Sequence, residues 1–263
     1  MARWLLFCEA VGDFRTTSGL VDRVLGERGP RWVAELLEHS PEGVREWVPD
    51  DHGNAFFDVH DLYKTTRAWG LPMRRGFFGE RPGRPGATMV FHAVRLAECL
   101  PQRRPGQAVP DGMVVVWDMD KQGDDRREGL TQGRDEARQL AGAAIAVVLG
   151  SPDPNREAWV LAGFTPQNEV EEARLEAEHR ALGFWPNVAP EALGAQDERA
   201  TKNTKRVLRA VLGADPEREA RCWTETPLAV LSERGAGCGL TDFLAEVEEH
   251  LLPQVLRRAT PAR

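Results

Sequence analysis

Apolar residues fall along the chain in short continuous runs separated by stretches of helical spacing, the pattern of buried strands alternating with surface helices. Residues 3–8 (RWLLFC) are the first run, followed by a turn at 9–13 (EAVGD). Phe14, Leu20, Val21, Val24 and Leu25 then recur mostly at helical intervals, with Gly26 as the expected stop. Strand, turn and helix in that order make a βα unit. Residues 113–117 (MVVVW) and 144–149 (AIAVVL) are two further runs, as expected for strands covered on both faces. A polar loop and a helix near 130–142 lie between them. The expectation is an α/β fold with a mostly parallel sheet flanked by helices.

Other segments carry shorter signals. Between the first two runs the pattern predicts a helix over 30–39, a strand at 55–59 and a helix near 60–69. A Gly- and Pro-rich loop over 70–87 follows, then a helix over 88–100 that Pro101 ends. Residues 157–163 (EAWVLAG) fit either a short helix or a strand. Helices are expected over 167–183 and 200–212. The clearest helix has Leu240, Phe243, Leu244, Val247, Leu251 and Val255 on one face, with Pro253 ending or kinking it. The chain divides into an α/β core over 1–165, with a helical insertion at about 27–110, and a helical C-terminal region over 166–263 packed on the core.

Composition narrows the function classes. A net charge of −7 argues against a protein that coats nucleic acid non-specifically, yet segment 64–84 holds six basic residues against one acid. No apolar run approaches the roughly 18–20 residues that span a bilayer. The apolar stretch over 4–10 is too short for a signal-peptide core and meets Glu9, so the expectation is a cytoplasmic protein. Cys8, Cys99, Cys222 and Cys238 form no CxxC pair and read as reduced thiols. The histidines form no H-x-x-H pair, and neither a G-x-S-x-G elbow nor a phosphate loop occurs, so the chain carries no recognisable ATPase of its own.

Candidate chemistry sits at strand ends, where open α/β sheets bind ligands. Glu9 and Asp13 follow the first strand; Asp118 and Asp120 follow the second apolar run. Convergent carboxylates repel one another unless a cation lies between them, and hard oxygen ligands in that number suit Mg²⁺ or Mn²⁺. Asp124 and Asp125 read as loop or cap acids, Asp125 being the better outside candidate as a ligand. Glu157 is either a further ligand or water-orienting group, or a helix-start acid beside a buried Trp159. Lys202, Lys205, Arg206 and Arg209 recur at i, i+3, i+4 and i+7, which puts them on one helical face: a track for a phosphate backbone, or a solvated face. Arg74, Arg75, Arg81 and Arg84, interleaved with Phe77 and Phe78, offer phosphate contact with base stacking, or a partner-binding loop.

The order strand, Glu9, Gly12, Asp13, helix, and later a strand ending Asp118-Met119-Asp120, resembles the topoisomerase–primase (TOPRIM) domain. Ala10 stands where that family usually has Gly. The segment 155–164 (NREAWVLAGF), with Lys205-Arg206, Cys222-Trp223 and Gly239-Leu240, resembles small TOPRIM-like proteins of bacterial phage-defence loci, the RloB-like group among them. The resemblance implies Mg²⁺ held by Glu9, Asp13, Asp118 and Asp120, catalysis by Glu9, Asp118, Asp120 and Glu157, and an ATPase encoded nearby as partner. Nucleic acid would be gripped by Arg74, Arg75, Lys202, Lys205 and Arg206.

Among TOPRIM chemistries a topoisomerase needs a positioned tyrosine, and Tyr63 is the only one. A primase needs nucleotide-binding elements that are not found. Metal-assisted phosphodiester hydrolysis needs only the metal, a water and phosphate-gripping cations. The expectation is a Mg²⁺-dependent nuclease of an anti-phage system. Haloacid-dehalogenase-like phosphatases also use D-x-D, but Lys121-Gln122 after Asp120 fits their motif poorly. The non-enzyme alternative is a regulatory or binding subunit that keeps the fold and assembles with an ATPase.

Overall fold

The computed structural model describes residues 1–71, 83–120, 122–141 and 145–259. Its centre is an all-parallel sheet. The first strand, β1 (Ala2–Cys8), is followed by α1 (Val11–Arg28) and α2 (Arg31–His39). Two short pieces, β2 (Arg45–Trp47) and β3 (Phe57–Asp58), precede α3 (Leu62–Ala68) and α4 (Ala87–Arg103). Then come β4 (Gly112–Val116), α5 (Gly123–Ala141) and β5 (Ala146–Gly150). The remainder is helical: α6 (Arg156–Gly163), α7 (Glu169–Leu182), α8 (Thr204–Leu212), α9 (Pro216–Thr224), α10 (Leu228–Arg234), α11 (Leu240–His250) and α12 (Leu252–Ala259).

The strand order is β2-β1-β4-β5, and β3 pairs with the end of β1 on the same side as β2. In register, Leu5 lies opposite Met113 and Val115 opposite Leu149. Successive side chains of a strand point to opposite faces, and both faces here are apolar. Trp4, Leu6 and Cys8, with Val114, Val116 and Val148, join a core shared with α1, α6 and α11. Leu5 and Phe7, with Met113, Val115 and Val147, join another core beneath α3, α4 and α5. Burial on both faces is why these strands read as continuous apolar runs rather than alternating ones.

The C-terminal helices share the first core. Leu240, Phe243, Leu244 and Val247 of α11 are buried there, and Phe243 stacks on Trp159 of α6 at 4.8 Å. The Trp159 indole donates to the Cys238 carbonyl at 2.8 Å, so this tryptophan is core.

Several boundaries differ from the sequence pattern, each for a local reason. α1 runs through Gly26 to Arg28, where Gly26 lies against Ala34 and Leu37 of α2, and it is Gly29 that caps the helix. α4 continues past Pro101 to Arg103, so the proline falls in its last turn rather than ending it. α5 begins at Gly123, ahead of the expected start, with Asp124 and Asp125 in its first turn, where their charges complement the helix dipole. Residues 157–163 are helical. The expected 200–212 helix begins only at Thr204, because the Asn203 side chain accepts the Arg206 N–H and caps it. The last long helix breaks at Leu251, just ahead of Pro253. Segment 27–110 is not wholly helical, for it supplies β2 and β3 to the sheet.

Candidate functional site

Parallel strands carry all their carboxyl ends to one side, and the acids singled out in the sequence meet there. β1 ends at Cys8, placing Glu9 at the rim and Asp13 in the first turn of α1. Asp13 Oδ2 accepts the Ala10 N–H at 2.8 Å, which fixes both the turn and the carboxyl. β4, the neighbour of β1, ends at Val116 and delivers Trp117, Asp118 and Asp120 to the same rim. Glu157 arrives from β5 on the first turn of α6.

The loops after β4 and β5 are stitched together. Met119 N–H donates to the Pro152 carbonyl, and Asp120 N–H donates to that of Pro154, both at 2.9 Å. Asp118 Oδ1 accepts the Arg156 N–H at the start of α6, at 3.0 Å. Asp120 has φ of 49°, the left-handed region that aspartate tolerates better than most residues.

Charge at this rim is unbalanced. Burial, then the neighbouring carboxyls of Asp13, Glu9 and Glu157, push Asp118 up to about 8. Burial also raises Glu9 and Asp13, against the pull of His60 and Arg156 respectively. No side chain among the described residues makes an ion pair with Asp118.

Two guanidiniums and an imidazole, absent from the sequence-based site, stand among these acids. Arg156 Nε lies 3.5 Å from Asp13, its Nη2 3.3 Å from Glu157, and its Nη1 donates to Thr16 at 3.0 Å and to Glu219 of α9. Burial works against its charge, yet Glu157, Glu219 and Asp13 hold it firmly protonated. Arg126 of α5 stacks on Trp117 at 4.5 Å, donates to the Asp118 carbonyl and lies 3.3 Å from Asp120. His60, two residues past β3, places Nε2 3.6 Å from Glu9 Oε1. His60 follows the strand-end rule but comes after a strand of only two residues; Arg156 immediately precedes Glu157.

These partners decide how the carboxyls face. Among the described residues no three His, Cys, Asp or Glu side chains stand close enough together to hold a metal ion as they are placed. Asp13 and Glu157 turn to Arg156, Asp120 to Arg126, and Glu9 to His60. The expected set of Glu9, Asp13, Asp118 and Asp120 is therefore gathered at one rim without being preassembled as a coordination sphere. The donor chemistry, hard carboxylate oxygens from adjacent strand ends, fits a hard divalent cation.

The predicted nucleic-acid contacts separate. Arg74, Arg75 and Arg81 lie outside the described residues. Arg84 is tied to Asp125 and Glu128 of α5. Lys202 precedes α8, so it shares no helical face with the others, and its ammonium sits over the Phe184 ring at 5.7 Å. Arg206 forks onto Glu178 at 2.9 and 2.5 Å. Lys205 is exposed and borders the same cleft as Asp120.

Comparison with known proteins returns no match to this chain from family models, curated proteins or solved structures. Among the described residues no helix is long and apolar enough to cross a membrane.

Proposed function

We propose that this protein is a Mg²⁺- or Mn²⁺-dependent nuclease of TOPRIM type, acting in the cytoplasm on a phosphodiester bond at the carboxyl end of the sheet. The observation that supports it is the gathering of Glu9, Asp13, Asp118 and Glu157 from adjacent strand ends, with no paired cation for Asp118 among the described residues. A fold does not bury such a set for stability, since unpaired buried carboxyls cost free energy. In this reading Glu9, Asp118 and Asp120 turn inward as ligands, with Asp13 at the edge of the set. The bound ion would supply charge neutralisation at the phosphate and a water of lowered pKa. Glu157 and His60 are the groups placed to orient that water or carry its proton. Arg126, braced on Trp117, is placed to meet phosphate charge beside Asp120. The resemblance of segment 155–164 adds an anti-phage setting with an ATPase partner.

The second reading, a regulatory subunit without turnover, draws on Arg156, whose guanidinium already neutralises Asp13 and Glu157. One assay separates the two. Purified protein, alone and with any co-purifying partner, is incubated with plasmid DNA, single-stranded DNA and tRNA in Mg²⁺, Mn²⁺ or EDTA. The nuclease reading expects metal-dependent cleavage that Asp118→Ala and Asp120→Ala abolish while circular dichroism stays native. Cleavage that survives in both variants, or none under any condition, supports the subunit reading instead.

A further inference from the structure

Past Asp120 the carboxyl end opens into a cleft of about 460 Å³, within the range of pockets that hold small-molecule-sized groups. Arg126 and Asn155 form the side nearest the acids; the far wall is the loop over 194–203 and the first turn of α8. That wall is braced by its own hydrogen bonds. Gly194 and Ala195 N–H groups donate to the Lys202 carbonyl at 3.1 and 3.2 Å, and Asn203 Nδ2 donates to the Ala195 carbonyl at 2.8 Å.

The cleft holds several donors without acceptors, beside one acceptor without a donor, the buried Asn155 Oδ1. Asn203 caps only the Arg206 N–H, so the amides of Thr204 and Lys205 have no partner among the described residues. Thr204 is 1% exposed and lines the cleft. Arg126 is 7% exposed, and its buried Nε has no partner among the described residues. Lys205 adds an exposed ammonium at the rim. Asp120 and Glu198 offset the two formal positive charges, so preference for an anion rests on the convergent N–H and O–H groups at the helix start.

We infer that this cleft seats a phosphate of the substrate strand next to the scissile one, held by the first turn of α8, Lys205 and Arg126. The inference rests on the nuclease reading and names its substrate contact: a single polynucleotide strand leaving the acidic rim past Asp120. It replaces the four-residue helical stripe with a pocket in which Lys205 acts and Arg209 does not.

The test is fluorescence anisotropy of labelled ten-nucleotide oligo-dT and oligo-U with the full chain carrying Asp118→Ala, which suppresses cleavage, over a series of KCl concentrations. Adding Lys205→Glu should weaken binding about tenfold and flatten the log–log salt slope by roughly 0.7, one single-strand phosphate contact. Adding Arg209→Gln should change affinity less than about twofold. Amide signals of Thr204 and Lys205 should move in NMR spectra as oligonucleotide is added. A loss in either oligonucleotide supports the cleft and tells DNA from RNA. Unchanged affinity in Lys205→Glu, an equal loss in Arg209→Gln, or no binding by either strand overturns it. Metal-dependent cleavage by the unmodified chain would then leave the nuclease reading standing by itself.

Discussion

The two ends of one sheet treat charge in opposite ways. At the amino ends of the strands, Glu46 and Asp111 are both paired. Arg3 Nε meets Glu46 at 3.0 Å, and Asp111, ahead of β4, accepts the Arg3 N–H at 2.9 Å and Arg258 of α12 at 2.5 Å. At the carboxyl ends, Glu9, Asp13, Asp118, Asp120, Glu157 and Glu219 share two guanidiniums and one exposed imidazole. The strands, their burial and the covering helices are common to both ends. What differs is that Glu46 and Asp111 are paired within the chain at one end, whereas the other carries an acid excess that, among the described residues, Arg156, Arg126 and His60 relieve only in part. Such an excess is a stability cost of the kind found where structure serves a ligand.

The largest contrast is expected from removing one carboxylate at each end. Asp118→Ala should reduce metal-dependent cleavage to background and leave the protein folded. Asp111→Ala should leave cleavage intact but lower stability by about 1–3 kcal/mol, because it strands the Arg3 backbone N–H and the Arg258 guanidinium. Urea denaturation and a cleavage assay on both variants read the exchange directly.

Next in size is the pH dependence of the metal-free protein. Asp118 keeps its proton in the folded chain up to about 8 but releases it in the ordinary carboxylate range once unfolded. Between those limits the folded state binds the extra proton, so raising pH toward 8 lowers stability. Glu9 and Asp13 are shifted the same way. The thermal midpoint without metal should therefore fall from pH 6 to pH 9. Asp118→Asn should flatten that fall and raise the midpoint at pH 8 by about 2–4 °C, the shift that about 1 kcal/mol produces in a sizeable domain. A midpoint that rises over this range in the unmodified protein would show that the acid excess is not felt.

How much of this could be read from the residues alone follows from range. β1, β4 and β5 were legible because each is a continuous apolar run, and Glu9, Asp118 and Asp120 were legible because they follow such runs. β3 falls inside the strand expected at 55–59, shortened to two residues, whereas β2 was not legible, since three residues give no period to read. His60 stands just past that expected strand, but with no H-x-x-H partner it was not read as a site residue. Arg156 was missed because an ion pair between residues far apart in the chain, such as Arg156 with Asp13, leaves no local trace, whereas Arg126 lies within local range of Asp120 and passed unread. Asp215-Pro216 ahead of α9 was a usable start signal that passed unread: the aspartate accepts the Glu217 and Arg218 N–H groups. The stripe of Lys202, Lys205, Arg206 and Arg209 failed for the converse reason, as periodicity cannot see that Asn203 starts the helix after Lys202.

The smallest expected effect concerns the thiols, which test how tightly the sheet end is closed. Cys8 lies directly beneath Glu9, and burial with the nearby acids raises its pKa beyond reach of neutral pH. Burial likewise pushes Cys222 and Cys238 up to about 12. Only the half-buried Cys99 should react with a maleimide at pH 7.5 in the native state. Rapid labelling of Cys8, read by peptide mass mapping, would show the carboxyl end opening in solution.

The central claim is that the acid excess at the carboxyl end is a divalent-cation site, and calorimetric titration with Mn²⁺ tests it most directly. The account predicts saturable binding to the full chain and release of close to one proton per ion at pH 7, since Asp118 must give up its proton to coordinate. Both should vanish in Asp118→Ala and persist in Asp111→Ala. Absence of Mn²⁺ binding, or binding that Asp118→Ala leaves undiminished, would contradict it.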